Sequence, residues 1–299
     1  MKVAISGATG LIGTALRESL AADGIQILAL SRKPSVAPLE TIQWDVDNGR
    51  FDASPLGDVD AVVHLAGEPI AQRWNEARKT AIRESRVKST RLLVEGLKSL
   101  TRKPKVLISG SAIGFYGDRG DEELDESSTP GSGFLPETCQ AWERAAMEAM
   151  GLGIRTAVLR TGIVLSTRGG ALKTMLLPFR LGAGGPVGSG KQWMSWIHID
   201  DIVGAIRHIL DKDDLMAAVN GVAPAPATNA GFTRALGRAV SRPAFLPAPA
   251  FGLKIVFGEM ASILLEGQRV APKKLLSTGY RFRFPELEGA LKDVLARKR

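Results

Sequence analysis

A chain of 299 residues with 44% hydrophobic and 23% charged residues has the composition of a globular α/β protein, and it is long enough for one large unit or two packed lobes. Its one cysteine, Cys139, excludes an intrachain disulfide and fits a reducing compartment such as the cytoplasm. The opening apolar run reads as a strand rather than a signal peptide, and no run reaches the roughly eighteen apolar residues of a membrane span. The net charge of +8 suits an anionic cofactor or substrate. There is no aromatic-interleaved basic stripe, helix-turn-helix or RNA-binding signature to point to nucleic acid.

The first thirteen residues organise the rest. Lys2 to Ser6 is a short β-branched apolar run, as a central parallel strand requires. Gly7, Gly10 and Gly13 follow at GxxGxxG spacing, and Leu16 and Leu20 then recur at helical spacing, so a helix opens near Leu11. Strand, glycine turn and helix in that order predict a dinucleotide site. The turn is tight at Gly7, the backbone approaches a pyrophosphate at Gly10, and helix packs on strand at Gly13. The helix N-terminus faces the phosphates with its free N–H groups.

A second strand, Ile25 to Leu30, ends in Ser31-Arg32-Lys33, about twenty residues beyond the glycines, where the adenosine ribose is read. An acid there would take the 2′-hydroxyl of NAD. Serine, arginine and lysine favour the 2′-phosphate of NADP. Thr41 to Asp45 predicts a third strand with Asp45 on the adenine side or simply in a loop, and Asp60 to Gly67 a fourth, its small end Ala66-Gly67 able to approach the cofactor's middle. The candidate cofactor residues are Gly7, Thr9, Gly10, Leu11, Ile12, Gly13, Ser31, Arg32, Lys33, Asp45, Leu65, Ala66, Gly67 and Glu68.

Further on, the periodicity predicts a helix over Trp74–Leu97, a strand over Val106–Ser109, a polar loop over 118–133, a helix over Phe134–Met150 and a strand over Thr156–Leu165. After a glycine-rich stretch at 182–190 come a short strand (Trp193–Ile199) and a helix from Asp200 to Leu210, capped by Asp200 or Asp201. A strand at Asn220–Ala223, a helix from Asn229 capped by Thr228, an amphipathic segment at Phe251–Gly267 and a closing helix (Pro285–Leu295) complete the chain. The three histidines, His64, His198 and His208, lack metal-ligand spacing, and His198 reads as structural.

The strand–GATGLIG–helix start, His64-Leu-Ala-Gly67, Ser109-Gly-Ser111 and Ile197-His-Ile-Asp-Asp201 together resemble the extended short-chain dehydrogenase/reductases of the NAD-dependent epimerase/dehydratase family. Arg73-Trp74, Trp142-Glu143, Leu177-Pro-Phe-Arg-Leu-Gly182, Glu266-Gly267-Gln268 and Gly279-Tyr280 are similar to its sugar-nucleotide epimerase subgroup, which carries its own C-terminal domain. The resemblance implies a Rossmann-type, doubly wound parallel sheet over residues 1–241, with a substrate-lobe insertion near 166–192 and a C-terminal domain over 242–299. It also implies a nicotinamide cofactor and a small-molecule substrate such as a nucleotide sugar, and it allows a homodimer.

The wider family relies on a Tyr-x-x-x-Lys pair for proton transfer. Here the only tyrosines are Tyr116 and Tyr280, with Gly120 and Phe284 four residues on, so neither begins that motif. Aligning Glu143 with the family's acid after the lysine puts Leu135 at the tyrosine position and Cys139 at the lysine position. The expected catalytic set reduces to Ser111, with Tyr116 as replacement acid and Cys139 a distant third. Without an acid–base group a rate factor of about a hundred to ten thousand is forfeited. Two functions therefore stay open: an NADP(H)-dependent oxidoreductase or epimerase on a small carbonyl or nucleotide-sugar-like substrate, and a non-catalytic NADP(H) sensor.

Overall fold

A computed structural model describes residues 1–32 and 40–297; Lys33 lies outside them. The first half runs β1 (Lys2–Ser6), α1 (Leu11–Ala22), β2 (Gln26–Ser31), β3 (Glu40–Asp45), β4 (Arg50–Phe51), β5 (Ala61–His64), α2 (Glu76–Lys98), β6 (Val106–Ala112), β7 (Glu123–Leu124) and α3 (Phe134–Met147). The second runs β8 (Arg155–Thr161), β9 (Ile163–Leu165), α4 (Gly170–Arg180), β10 (Trp193–Met194), β11 (Trp196–His198), α5 (Ile199–Asp211), β12 (Ala217–Gly221), β13 (Ala227–Thr228), α6 (Asn229–Ala239), α7 (Ala250–Phe257), α8 (Ser262–Leu265), β14 (Arg269–Val270), α9 (Lys273–Ser277) and α10 (Leu287–Ala296).

Eight strands form one sheet in the order β12-β8-β6-β5-β1-β2-β3-β4. All pairs are parallel except β3 with β4. This is a Rossmann-type α/β fold. The strands are apolar on both faces because helices cover both. Val3 and Ile5 point toward α1 and α5, into a core with Leu16, Leu20, Ile202 and Ile206. Ala4 and Val62 point the other way, toward Leu93, Val94 and Leu97 of α2. The chain moves outward from β1 through β2 and β3, then returns to β1's other side as β5. The strand order reverses between β1 and β5, and a crevice opens beyond their C-terminal ends.

A second core joins Leu172, Leu176, Trp196, Phe232, Leu236, Leu287 and Leu291, so α10 packs on α6 and α4. Its polar staple is Asp201, whose carboxylate accepts the backbone N–H groups of Arg283 (2.8 Å) and Phe284 (2.9 Å). Neither Asp200 nor Asp201 caps α5, contrary to expectation. The cap is His198, whose Nδ1 accepts the Asp200 N–H at 3.0 Å, while both acids sit in the first turn where the helix dipole favours them. His198 is otherwise held by Asp293 (3.0 Å) and stacked on Phe284, as a structural histidine should be. Thr228 does cap α6, its Oγ1 accepting the Gly231 N–H.

Two further expectations change. The strand predicted over Thr156–Leu165 breaks at Gly162, where a Cβ would stand 2.4 Å from the Ser195 carbonyl oxygen, and β9 pairs with β11 instead. The amphipathic segment at Phe251–Gly267 folds as α7, a 3-10 turn and α8, and α7 buries no residue. Among the described residues no helix is long and apolar enough to cross a membrane.

Candidate functional site

The glycine turn sits at the mouth of the crevice. Gly7 has φ +69°, and a Cβ there would come within 2.8 Å of the Leu65 backbone; one at Gly13 would lie 2.1 Å from the Gly7 carbonyl oxygen. Both positions therefore need glycine, for the left-handed turn and for the close crossing of α1 over β1. Gly10 caps α1 in extended conformation, and no side chain caps that helix, so its first N–H groups point out of the fold toward the crevice. These features form a cradle that a pyrophosphate fits. Leu65, Ala66 and Gly67 form the facing lip, directly after β5.

A buried relay fixes that lip. Ser6 Oγ accepts the N–H groups of Leu65 (3.1 Å) and Ala66 (3.3 Å). Its own proton then goes to His64 Nδ1 at 2.6 Å. Nε2 carries the ring proton and donates to Thr90 Oγ1 (3.0 Å), which in turn donates to the Arg86 carbonyl (2.7 Å). His64 is fully buried, and desolvation lowers its pKa to about 4, so it is a neutral strut. Below the lip, Arg86 donates to the carbonyls of Ile82 (2.9 Å) and Glu68 (3.0 Å). Its guanidinium would be 3.2 Å from a Cβ on Gly67, so a larger residue there would push the Arg86 side chain back by a few tenths of an ångström. Burial lowers the Arg86 pKa.

At the far end of the crevice Arg32 reaches across β1. Its Nη1 donates to Glu68 Oε1 at 3.2 Å, and its side chain is 69% exposed. Arg78 approaches the same carboxylate at 3.6 Å. Arg32 and Glu68 thus stand together where the sequence places the ribose end, with Ser31 beside them at the end of β2. Asp45 is bound into a turn by the backbone and side-chain N–H groups of Asn48 (3.1 and 2.7 Å), which hold its pKa down. Leu11 packs against Gly169 and Gly170.

The expected catalytic residues are brought together, but inward. Ser111, at the end of β6, donates to Glu143 Oε1 at 2.6 Å. Arg160 of β8 grips the same carboxylate with Nε (2.9 Å) and Nη2 (2.8 Å). Arg160 Nη1 donates to the Tyr116 hydroxyl (3.0 Å), which donates its proton to Asn220 Oδ1 (2.7 Å). Ser111, Glu143, Arg160, Tyr116 and Asn220 are all buried, Tyr116 completely. Desolvation raises the Tyr116 pKa against the pull of Arg160 and Asn220. Cys139 is buried beside them, and desolvation pushes its thiol up to about 12, far from nucleophilic. Glu143 and Arg160 were not among the expected site residues. The available signal was a charge at position 160 inside an apolar strand, since such a charge is almost never buried unpaired.

Beyond this bracket lies a cavity of about 870 Å³ between the start of α3, the turn at Gly188–Ser189 and the α7–α8 segment. Leu135 lines it, with Trp74, Phe134, Leu265, Lys254 and Glu266. Sequence reasoning missed this wall, because its α7–α8 side comes from residues more than a hundred positions after Leu135.

The sequence pattern of the NAD dependent epimerase/dehydratase family matches residues 3–220, and a domain of unknown function, DUF1731, matches residues 248–294. The human epimerase family protein SDR39U1 is 42% identical over 301 residues, covering 99% of this chain and 100% of the human one. The crystal structure of human SDR39U1 (isoform 2) with NADPH superposes with a TM-score of 0.89 at 40% identity, over 98% of this chain and 99% of that one. A nucleoside-diphosphate sugar epimerase from Corynebacterium glutamicum gives 0.80 at 36% identity, over 99% of this chain and 58% of that one.

Proposed function

Because the chain belongs to the NAD-dependent epimerase/dehydratase family, we propose that it binds NADP(H) in the crevice at the ends of β1 and β5 and acts on a small carbonyl or nucleotide-sugar-like substrate in the adjoining cavity. The observation that carries this reading is the cradle at Gly7 and Gly13, closed to any Cβ and open to an anion at the uncapped end of α1. The solved NADPH complex of the human relative supports it. Thr9, Leu11 and Ile12 present backbone to the phosphates, and Leu65, Ala66 and Gly67 flank the middle of the dinucleotide. Arg32, with Ser31 before it, selects the 2′-phosphate, and Lys33, the next residue in the sequence, adds a third candidate donor.

When bound, NADPH would supply a hydride to the carbon of a substrate carbonyl and become NADP⁺, the carbonyl oxygen taking its proton from water, since Leu135 has none to give and Cys139 is buried. Ser111 and Tyr116 act through the bracket they form with Glu143 and Arg160, which fixes the end of β6 against α3. The lone buried cysteine suits a reducing compartment such as the cytoplasm.

Titration of the purified chain with NADPH and NADH tests the cofactor assignment. A charge-assisted contact to the extra phosphate is worth about 1.5–3 kcal/mol, so NADPH binds at least about tenfold tighter. Preference for NADH would defeat the role given to Arg32.

A specific observation favours a second reading, a sensor that binds NADP(H) without turning it over. Leu135, which the alignment on Glu143 puts at the family's tyrosine position, lines the cavity, and burial keeps the Cys139 thiol neutral. Hydride exchange between NADPH and a carbonyl panel separates the two: exchange rejects the sensor, and its absence with tight NADPH binding rejects the oxidoreductase.

A further inference from the structure

We propose that the cavity beyond α3 takes an uncharged compound with a largely apolar body and a single carbonyl-type oxygen, rather than a nucleoside diphosphate. This deepens the reading above and rests on it for the neighbouring cofactor. The charges decide the class. Three ionisable side chains line the cavity: Lys254, Glu259 and Glu266. Glu259 is already held by Lys79 at 2.9 Å, which leaves one lysine against one glutamate. Burying two phosphate charges demands matched cations or many donors, and no arginine is among the lining residues. Arg73 comes close, with Nε 3.6 Å from the Cβ position of Gly258, but it is not among the lining residues. Glu266 adds no cation, and its surroundings favour the uncharged carboxyl. Burial and the nearby Asp118 raise its pKa, and Lys254 only partly offsets them.

The remaining wall carries Ser132, Ser189, Ser262 and Gln268, but its bulkiest side chains are apolar. Trp74 and Phe134 meet edge to face at 5.0 Å, and the Trp74 indole N–H is spent on the Ile70 carbonyl (3.0 Å), so the ring contributes surface and no donor. Leu135 and Leu265 continue it. On α7, Ala250 and Lys254 line the cavity while Phe251 and Ile255, on the next strip of the helix, are 71% and 69% exposed. An exposed apolar strip therefore runs along α7 beside its lining residues. The polar focus is the start of α3: Gly133 is its cap, no side chain caps it, and its third position is Pro136. Two N–H groups, of Phe134 and Leu135, are left for one ligand oxygen. This matches the usual build of a small-molecule site, mostly apolar with a few placed donors.

The test uses the full chain and two probes, 2-decanone and UDP-glucose, titrated by calorimetry with and without NADPH. We expect 2-decanone to bind saturably, and Leu265→Asn to weaken it at least tenfold with NADPH affinity within error of the parent. Leu135→Asp reads the same wall through 2-decanone binding alone, because Leu135 stands on the cofactor's side of the cavity. UDP-glucose gives no saturable heat. Saturable UDP-glucose binding, no binding of 2-decanone, or 2-decanone binding that ignores both wall variants each overturns the proposal. Loss of NADPH binding alone strikes the cofactor reading and leaves the ketone result to stand or fall separately.

Discussion

The crevice at β1 and β5 and the bracket at β6 and α3 are neighbours, yet they are built on opposite principles. In the crevice the groups that form the cradle are backbone. Glycines keep it open, and the Ser6–His64–Thr90 relay behind it is there to hold the lip still. In the bracket the functional-looking groups are side chains, and they have turned to one another. Ser111, Glu143, Arg160, Tyr116 and Asn220 satisfy each other's hydrogen bonds out of water. Backbone sites persist as long as the turn persists, whereas side-chain chemistry is reassigned by a few substitutions. On the proposed reading the binding half of a dehydrogenase-type site is kept, while the alignment on Glu143 puts leucine and cysteine where the wider family has its tyrosine and lysine.

That contrast can be broken at either end. The largest effect is expected in the bracket. Glu143→Ala strands the buried Arg160 guanidinium, and breaking such a pair costs about 3–5 kcal/mol; chemical denaturation should show that loss, with NADPH affinity changed far less. In the crevice, Gly13→Ala forces a Cβ against the Gly7 carbonyl. Overpacking of this kind costs about 3 kcal/mol, and here it should abolish NADPH binding as well.

The strut behind the lip gives a pH test. The unfolded chain protonates His64 near 6.5, while the folded chain resists until about 4. The unfolded state therefore holds more protons in between, and stability is lost as pH falls from 6.5 toward 4, by about 3 kcal/mol. At pH 7 the group contributes nothing to this term. Denaturation curves at pH 7 and pH 4.5 should diverge less in His64→Gln than in the parent chain. The smallest effect is at the rim: Arg32→Ala should weaken NADPH about tenfold to a hundredfold by equilibrium titration and leave NADH unchanged.

The same contrast explains what the sequence made legible. Gly7, Gly10, Gly13 and the apolar run before them are contiguous, so local spacing carried the turn, the helix start and the sheet's switch point. The unbroken apolar runs at Val3–Ile5 and Val62–Val63 carried the buried parallel strands. The bracket is not local. Ser111 meets Glu143 across 32 residues, and Tyr116 meets Asn220 across 104. Tyr116 was visible as a residue, but which way its hydroxyl faces depends on β12, and no spacing encodes that. The cavity is similarly assembled from α3, the Gly188 turn and α7–α8, which meet only through tertiary packing. The caps of α5 and α6 make the point on a smaller scale. Thr228 was readable from its type, whereas His198 took the place that Asp200 and Asp201 suggested because both acids' carboxylates are claimed by the C-terminal segment, Asp200 by Arg283 and Arg297.

The central claim is that a nucleotide-binding half survives beside a chemical half that has lost its proton donor. A crystal structure of the NADPH complex measures both at once. The account predicts the 2′-phosphate within hydrogen-bonding distance of Arg32, the pyrophosphate over Gly10, and Leu135 with no tyrosine hydroxyl beside the nicotinamide ring. A 2′-phosphate pointing away from Arg32, or the Tyr116 hydroxyl released from Asn220 and aimed at the ring, would contradict it.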